Sequence, residues 1–233
     1  MVREIVLDTE TTGLSPDEGH RIVEIGCLEL VNHIPTGRTL HHYINPEREV
    51  DQGAFEVHGL STEFLKDFPT FGQLADEILD FLGDATLVIH NAPFDMRFIN
   101  AELKWAGRAQ IPMEQALDTL KMARQKFPGA QASLDALCRR FEIENSHRTL
   151  HGALLDSELL AEVYLELIGG RQPDLVLGGE KKAENGPSDD APIAPTQSIA
   201  RAPRHHAPSA EELAAHSEFL KKLKDPIWTR ADD

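Results

Sequence analysis

Asp8 and Glu10 stand two residues apart at the end of the apolar run Ile5-Val6-Leu7. Such a run reads as a buried strand, and on a strand residues i and i+2 project from one face. Two carboxylates are therefore aimed side by side, next to a turn through Thr11, Thr12 and Gly13, while Thr9 and Thr11 point away from them. Holding like charges together is costly unless a cation takes up the charge. Oxygen ligands of this kind favour hard ions, Mg²⁺ or Mn²⁺. A third acid, Asp95, follows in His90-Asn91-Ala92-Pro93-Phe94-Asp95, where a strand runs into a helix and Pro93 suits the first turn. The last pair is His151 and Asp156. On one continuous helix, positions five apart would diverge by about 140°, so His151 is placed on a loop and Asp156 one turn into the helix. A histidine with an unperturbed pKa of about 6.5 can take a proton from water near neutral pH. Four acids and one histidine of this kind suit metal-dependent phosphoryl transfer.

The elements that must position these residues can be read from periodicity and turn signals. Residues 4–8, 21–31 and 39–44 read as three strands with short, turn-rich connections, Gly13 and Ser15-Pro16 in one and Pro35-Thr36-Gly37 in the other. Thr70 caps a helix carrying Leu74, Ile78, Leu79 and Phe81 on one side, and Gly83 stops it. Residues 86–90 form a short apolar strand. Helices follow over 94–105, 118–127, 134–141 (capped by Ser133) and 153–168. This order predicts an α/β fold, a mixed sheet with helices packed on it. His58, in Val57-His58-Gly59-Leu60, either lines the site or packs; both readings stay open. His90 is expected to be a buried, hydrogen-bonded strand-end residue, and His205 and His206 to be solvated.

The chain has 233 residues and a net charge of −16. Residues 1–170 carry 14 Lys/Arg against 28 Asp/Glu. That excludes a strongly basic nucleic-acid binder, since phosphate recognition usually needs a basic surface. A nucleic-acid enzyme with this balance binds weakly on its own and needs a partner to deliver substrate. Cys27 and Cys138 lie in apolar surroundings without zinc or redox spacing, and so read as buried free thiols in a reducing cytosol. No signal region or membrane-length run is visible, so a cytoplasmic protein with no membrane partner is expected.

After Gly170 the composition changes. Residues 178–210 hold five prolines, three glycines and seven alanines, which predicts a disordered linker. Ser209 followed by Glu212 is a capping-box signal. Leu213, His216, Leu220, Leu223 and Ile227 then recur at helical steps, joined by Trp228. One isolated amphipathic helix is marginal in water, so its stripe needs a partner surface.

These residues carry a resemblance. Asp8-x-Glu10, Asp95 and His151-x4-Asp156 are similar to the set that names the DEDDh 3′→5′ exonucleases. The stretches IVLDTETTGL, VHGL, LVIHNAPFD, SLDALCRRFEI and RTLHGALLDSELLAEVYL extend the likeness over about residues 4–170, and resemble the proofreading branch of that family. The resemblance implies a ribonuclease-H-like mixed sheet of about five strands. It implies two divalent cations, Mg²⁺ or Mn²⁺, held by Asp8, Glu10, Asp95 and Asp156, with His151 as general base. Thr9, Leu14, His58, Asn91 and Phe94 would seat the 3′-terminal nucleotide of single-stranded or frayed DNA. Gln172, Leu175 and Leu177 resemble short peptides that dock on the bacterial sliding clamp. Leu213, Leu220, Leu223 and Trp228 resemble the segment that holds such an enzyme to a polymerase alpha-type subunit. The expected organisation is thus an exonuclease domain over 1–170, a clamp peptide over 171–178, a linker over 179–208 and a polymerase-binding helix over 209–233. Two other readings fit less well: a free-standing RNA-trimming exonuclease, which has no evident need of this tail, and a scaffold bridging clamp and polymerase, which has no need of five site residues.

Overall fold

The structure, a computed structural model, describes residues 2–145, 150–170 and 208–222. The chain forms two compact units, Met1–Gly179 and Glu180–Asp233. The first is built on a five-stranded sheet. Its strands are β1 (Arg3–Thr11), β2 (Ile22–Val31), β3 (Ile34–Tyr43), β4 (Thr86–Ile89) and β5 (Ala116–Asp118), in spatial order β3-β2-β1-β4-β5. The β1–β2 and β2–β3 pairs are antiparallel, and β4 and β5 add in parallel to β1. The helices of this unit are α1 (Gln52–His58), α2 (Thr62–Leu65), α3 (Phe71–Leu82), α4 (Ala92–Trp105), α5 (Thr119–Lys126), α6 (Leu134–Phe141) and α7 (Ala153–Leu167).

Strand alternation divides the core. Ile5 and Leu7 of β1 point to one face and pack with Phe71, Ile78, Met96, Phe98 and Ile99 of α3 and α4. Val6 points to the other face and packs with Leu160, Ala161 and Tyr164 of α7. The sheet is therefore covered on both sides, which removes its central apolar strands from water. Glu4 shares the Val6 face, and its buried carboxylate accepts the Tyr164 hydroxyl at 2.6 Å. By the same alternation, Asp8 and Glu10 face α7 and Thr9 faces α4.

Several predicted boundaries move. The β2–β3 connection is the two-residue turn Asn32-His33, both at positive φ, and Pro35, Thr36 and Gly37 lie within β3. A two-residue hairpin needs left-handed backbone at its centre, which asparagine adopts readily and histidine on occasion. The sequence reading followed the proline-glycine signal instead. Strand β5 was missed because its three residues are too short to show a period. Helices α1 and α2 were missed for the same reason. The predicted helix starts hold: Gln73 Oε1 accepts the Thr70 N–H at 2.8 Å on α3, and the Ser133 side chain accepts the Ala136 N–H on α6.

The second unit contains, among its described residues, α8 (Ala210–Leu220), opened by the Ser209–Glu212 capping box. None of its residues is buried; Leu213 and Phe219 are exposed. Gln172, Leu175, Leu177, Leu223 and Trp228 lie outside the described residues. Among the described residues, no helix is long and apolar enough to cross a membrane.

Candidate active site

Parallel pairing of β1 with β4 covers only Glu4–Val6, so the last residues of β1 run past their neighbour on that side. Backbone donors there need other partners. The Thr9 N–H finds one in Asp95 Oδ1 at 3.1 Å, and the Thr9 hydroxyl donates to the same oxygen at 2.6 Å. Asp95 stands in the first turn of α4, after Asn91 in left-handed conformation and Pro93 at the helix start. The sequence reading had Thr9 pointing away from Asp8 and Glu10, as it does; its bond to the third acid could be seen only once α4 was placed. Burial pushes the Asp95 carboxyl up to about 7, with the Thr9 hydrogen bonds pulling the other way.

On the opposite face of the sheet, α7 brings Asp156 to Glu10. Helix α7 packs closely on β2 because Gly26 has no side chain: a Cβ there would lie 2.3 Å from the Ala153 carbonyl carbon. The Ser157 hydroxyl donates to the Gly26 carbonyl at 2.9 Å and fixes the rotation of the helix. Asp156, 2% exposed, then meets His151, which precedes the helix on a loop. His151 Nδ1 lies 3.2 Å from Asp156 Oδ2. Loop plus first turn is the arrangement that the five-residue spacing required. Glu10, His151 and Asp156 each offer a ligand atom within 4.8 Å of the others. Asp8 and Asp95 lie outside that group of three, Asp8 two residues before Glu10 on the same strand face and Asp95 bonded to Thr9.

Two carboxylates and an imidazole converging at this distance fit a divalent cation, and like-charged groups so placed are eased by one. Cys27, buried beside Asp8, is held as the thiol by that burial. The remaining predicted residues surround the end of β1. His58 is buried, with Nε2 3.3 Å from the Thr11 carbonyl. Burial lowers its pKa, and the nearby His151 adds to that. Leu14 is 80% exposed at the mouth of the turn, whereas Phe94 is half-buried against Phe98. Asn91 is exposed, its N–H donated to Asp118 Oδ1. His90 is half-buried, just past β4, and bonded to the Thr119 hydroxyl at 3.0 Å, close to its expected role.

Sequence reasoning missed Glu102. It is 1% exposed and takes both arms of the Arg21 guanidinium at 2.8 Å, plus the Ile22 N–H at 3.1 Å. This fork ties α4, and hence Asp95, to the start of β2. Its residues are 81 apart, so no local pattern reveals it.

A mixed sheet that carries this acid-and-histidine cluster at the end of its central strand has the arrangement of a ribonuclease-H-like fold with a site suited to a nuclease. The family model described as "Exonuclease" matches residues 5–164. Over 225 residues the chain is 50% identical to the DNA polymerase III subunit epsilon of Rickettsia felis, covering 95% of this chain and 97% of that one. It is 47% identical over 241 residues to the same subunit of Escherichia coli K12, covering 98% of each. The chain belongs to the exonuclease family, among the DNA polymerase III epsilon subunits. The fold is shared with the nuclease domain of 3'hExo, a DEDDh family member bound to rAMP, at a TM-score of 0.62 and 20% identity over 71% of this chain and 91% of that one. It is shared also with exonuclease X in complex with 5' overhanging duplex DNA, at a TM-score of 0.56 and 24% identity over 71% and 90% of the two chains.

Proposed function

We propose that this chain is the proofreading 3′→5′ exonuclease of a bacterial replicase, removing 5′-mononucleotides from the 3′ end of DNA. The observation that carries the reading is the convergence of Glu10, His151 and Asp156 at the end of β1. Asp8, Glu10, Asp95 and Asp156 would hold two divalent cations, Mg²⁺ or Mn²⁺. Such ions, when bound, stabilise charge on the attacking and leaving oxygens of the displacement.

The protein's own residues supply the rest. With Nδ1 turned to Asp156, His151 presents Nε2 as the atom that accepts the proton of the attacking water. Asp156, a buried carboxylate, orients that ring. Thr9, Leu14, Asn91 and Phe94 border the space for the terminal nucleotide, with His58 behind the turn. Exposed Leu14 is suited to lie against a base that has left its stack. Freeing a terminal base costs a few kcal/mol and least when it is mispaired, so a wrong end enters the site more often. Selectivity then needs no pocket that recognises a mismatch.

The acidic surface gives weak affinity for free DNA. A polymerase alpha-type subunit bound through residues 209–233, and a sliding clamp bound through Gln172, Leu175 and Leu177, would raise the effective substrate concentration to about millimolar. Residues 179–208 would serve as the linker between those contacts, with the enzyme working in the cytoplasm.

A purified chain with Mg²⁺ and a primer bearing a mispaired 3′ end tests the reading. Stepwise release of 5′-mononucleotides is expected, abolished by chelator and by Asp8→Ala or Asp156→Ala. Unchanged activity in Asp8→Ala would remove the proposed ligand set. A chain of residues 1–175 should keep the nuclease and lose the polymerase subunit; its co-purification with that subunit would refute the role of the terminal helix.

A further inference from the structure

His151 has a side chain 45% exposed and sits on a loop, so its aim depends on how its backbone is held. Among the described residues, the end of α1 makes two contacts that help to hold it. The His151 N–H donates to the Val57 carbonyl at 3.1 Å. The preceding residue, Leu150, lies over Gly59, where an added Cβ would meet Leu150 Cδ1 at 2.6 Å. Leu150 is 48% exposed, so this contact adds little to the core. Gly59 itself closes α1 at φ +73, its N–H on the Phe55 carbonyl at 2.8 Å. The position favours glycine for its left-handed backbone, and an added Cβ would also push the end of the Leu150 side chain from its seat.

The same end of α1 is pegged to the metal-facing strand. His58 Nδ1 accepts the Leu60 N–H at 3.0 Å, which leaves the ring proton on Nε2, 3.3 Å from the Thr11 carbonyl. Thr11 follows Glu10 directly. Both ring nitrogens are therefore engaged with backbone and the ring is 5% exposed, which leaves His58 no free polar atom for a substrate. An unbroken path runs from Glu10 and Thr11 through His58 and Gly59 to Leu150 and His151.

We infer that the Val57-His58-Gly59-Leu60 turn is a bracket that sets His151 against the carboxylates, with His58, Gly59 and Leu150 as positioning residues. The kinetic consequence rests on the nuclease reading; the bracket itself rests on geometry. Misplacing a proton acceptor by an ångström lowers the rate of the chemical step without weakening substrate binding.

The test uses the full chain with Gly59→Ala, which obstructs the Leu150 seat, and Leu150→Ala, which empties it. Each should lower kcat on a single-stranded oligonucleotide with Mg²⁺ about 10- to 100-fold. KM should stay within about two-fold, and the rise in melting temperature on adding Mg²⁺ should persist. Independently of activity, the ¹⁵N ring signals of His151 should shift or broaden in both variants while those of His90 hold. Leu150→Ala removes only a half-exposed side chain, so it keeps the test open if Gly59→Ala does not fold. Unperturbed His151 signals, or a raised KM with kcat retained, would overturn the bracket. A wild-type chain without exonuclease activity would instead sink the nuclease reading, and the ring signals would still decide the bracket.

Discussion

Asp95 is the proposed site acid that pays most for its place, because burial disfavours its charged form more than the hydrogen bonds from Thr9 and from its own backbone N–H support it. Its carboxyl is raised in the folded chain from 3.8 to about 7. Folded protein therefore holds that proton more tightly than the unfolded chain does. The resulting stability is present below about pH 4 and is lost as the pH climbs toward 7. In chelator, Asp95→Asn should melt above wild type at about pH 8, by an amount that reflects a few kcal/mol at most, and the gap should close toward about pH 4. A gap independent of pH would show that Asp95 is already compensated. Thr9→Val removes the shorter of its two hydrogen bonds. It should raise the Asp95 pKa further and lower kcat, as read from a pH–rate profile displaced to higher pH.

At the scale of elements, two close fits place the proposed catalytic groups. Gly26 lets the start of α7 lie against β2, and a methyl group there would meet backbone, which cannot swing aside. Gly26→Ala should destabilise the chain by about 3 kcal/mol, the upper end for overpacking, and should lower activity more than stability accounts for. Urea unfolding alongside kcat measures both. On the other face, Arg21→Met leaves buried Glu102 without its cation. Removing one partner of such a pair costs about 3–5 kcal/mol, here reduced because Arg21 keeps 22% exposure. Denaturation of this variant should show a loss near the lower end; a loss under about 1 kcal/mol would mean that water already screens the fork.

For the molecule as a whole, the charge of −16 governs how it meets DNA. A basic binder loses affinity steeply with salt because each neutralised phosphate releases counterions. A chain of this charge is expected to neutralise few phosphates with its own cations. Its KM for a free oligonucleotide should therefore be high and nearly independent of monovalent salt at fixed Mg²⁺. A steep salt slope would reveal a cationic DNA surface.

The convergence of Glu10, His151 and Asp156 was legible because residue types and spacing are local. Asp8 and Glu10 share a face by strand alternation, and His151 and Asp156 must part between loop and helix. The long helices and their caps were legible for the same reason, as Thr70 and Ser133 act within one turn. Short elements, β5 and α1 among them, carry too few residues to show a period. The Asn32-His33 turn was hidden because its backbone conformation follows from the pairing of two strands rather than from its own residues. The meeting of Thr9 with Asp95, of Arg21 with Glu102 and of Leu150 with Gly59 was decided only by the tertiary structure. Each joins residues tens of positions apart, and their proximity results from layering helices on both faces of a sheet.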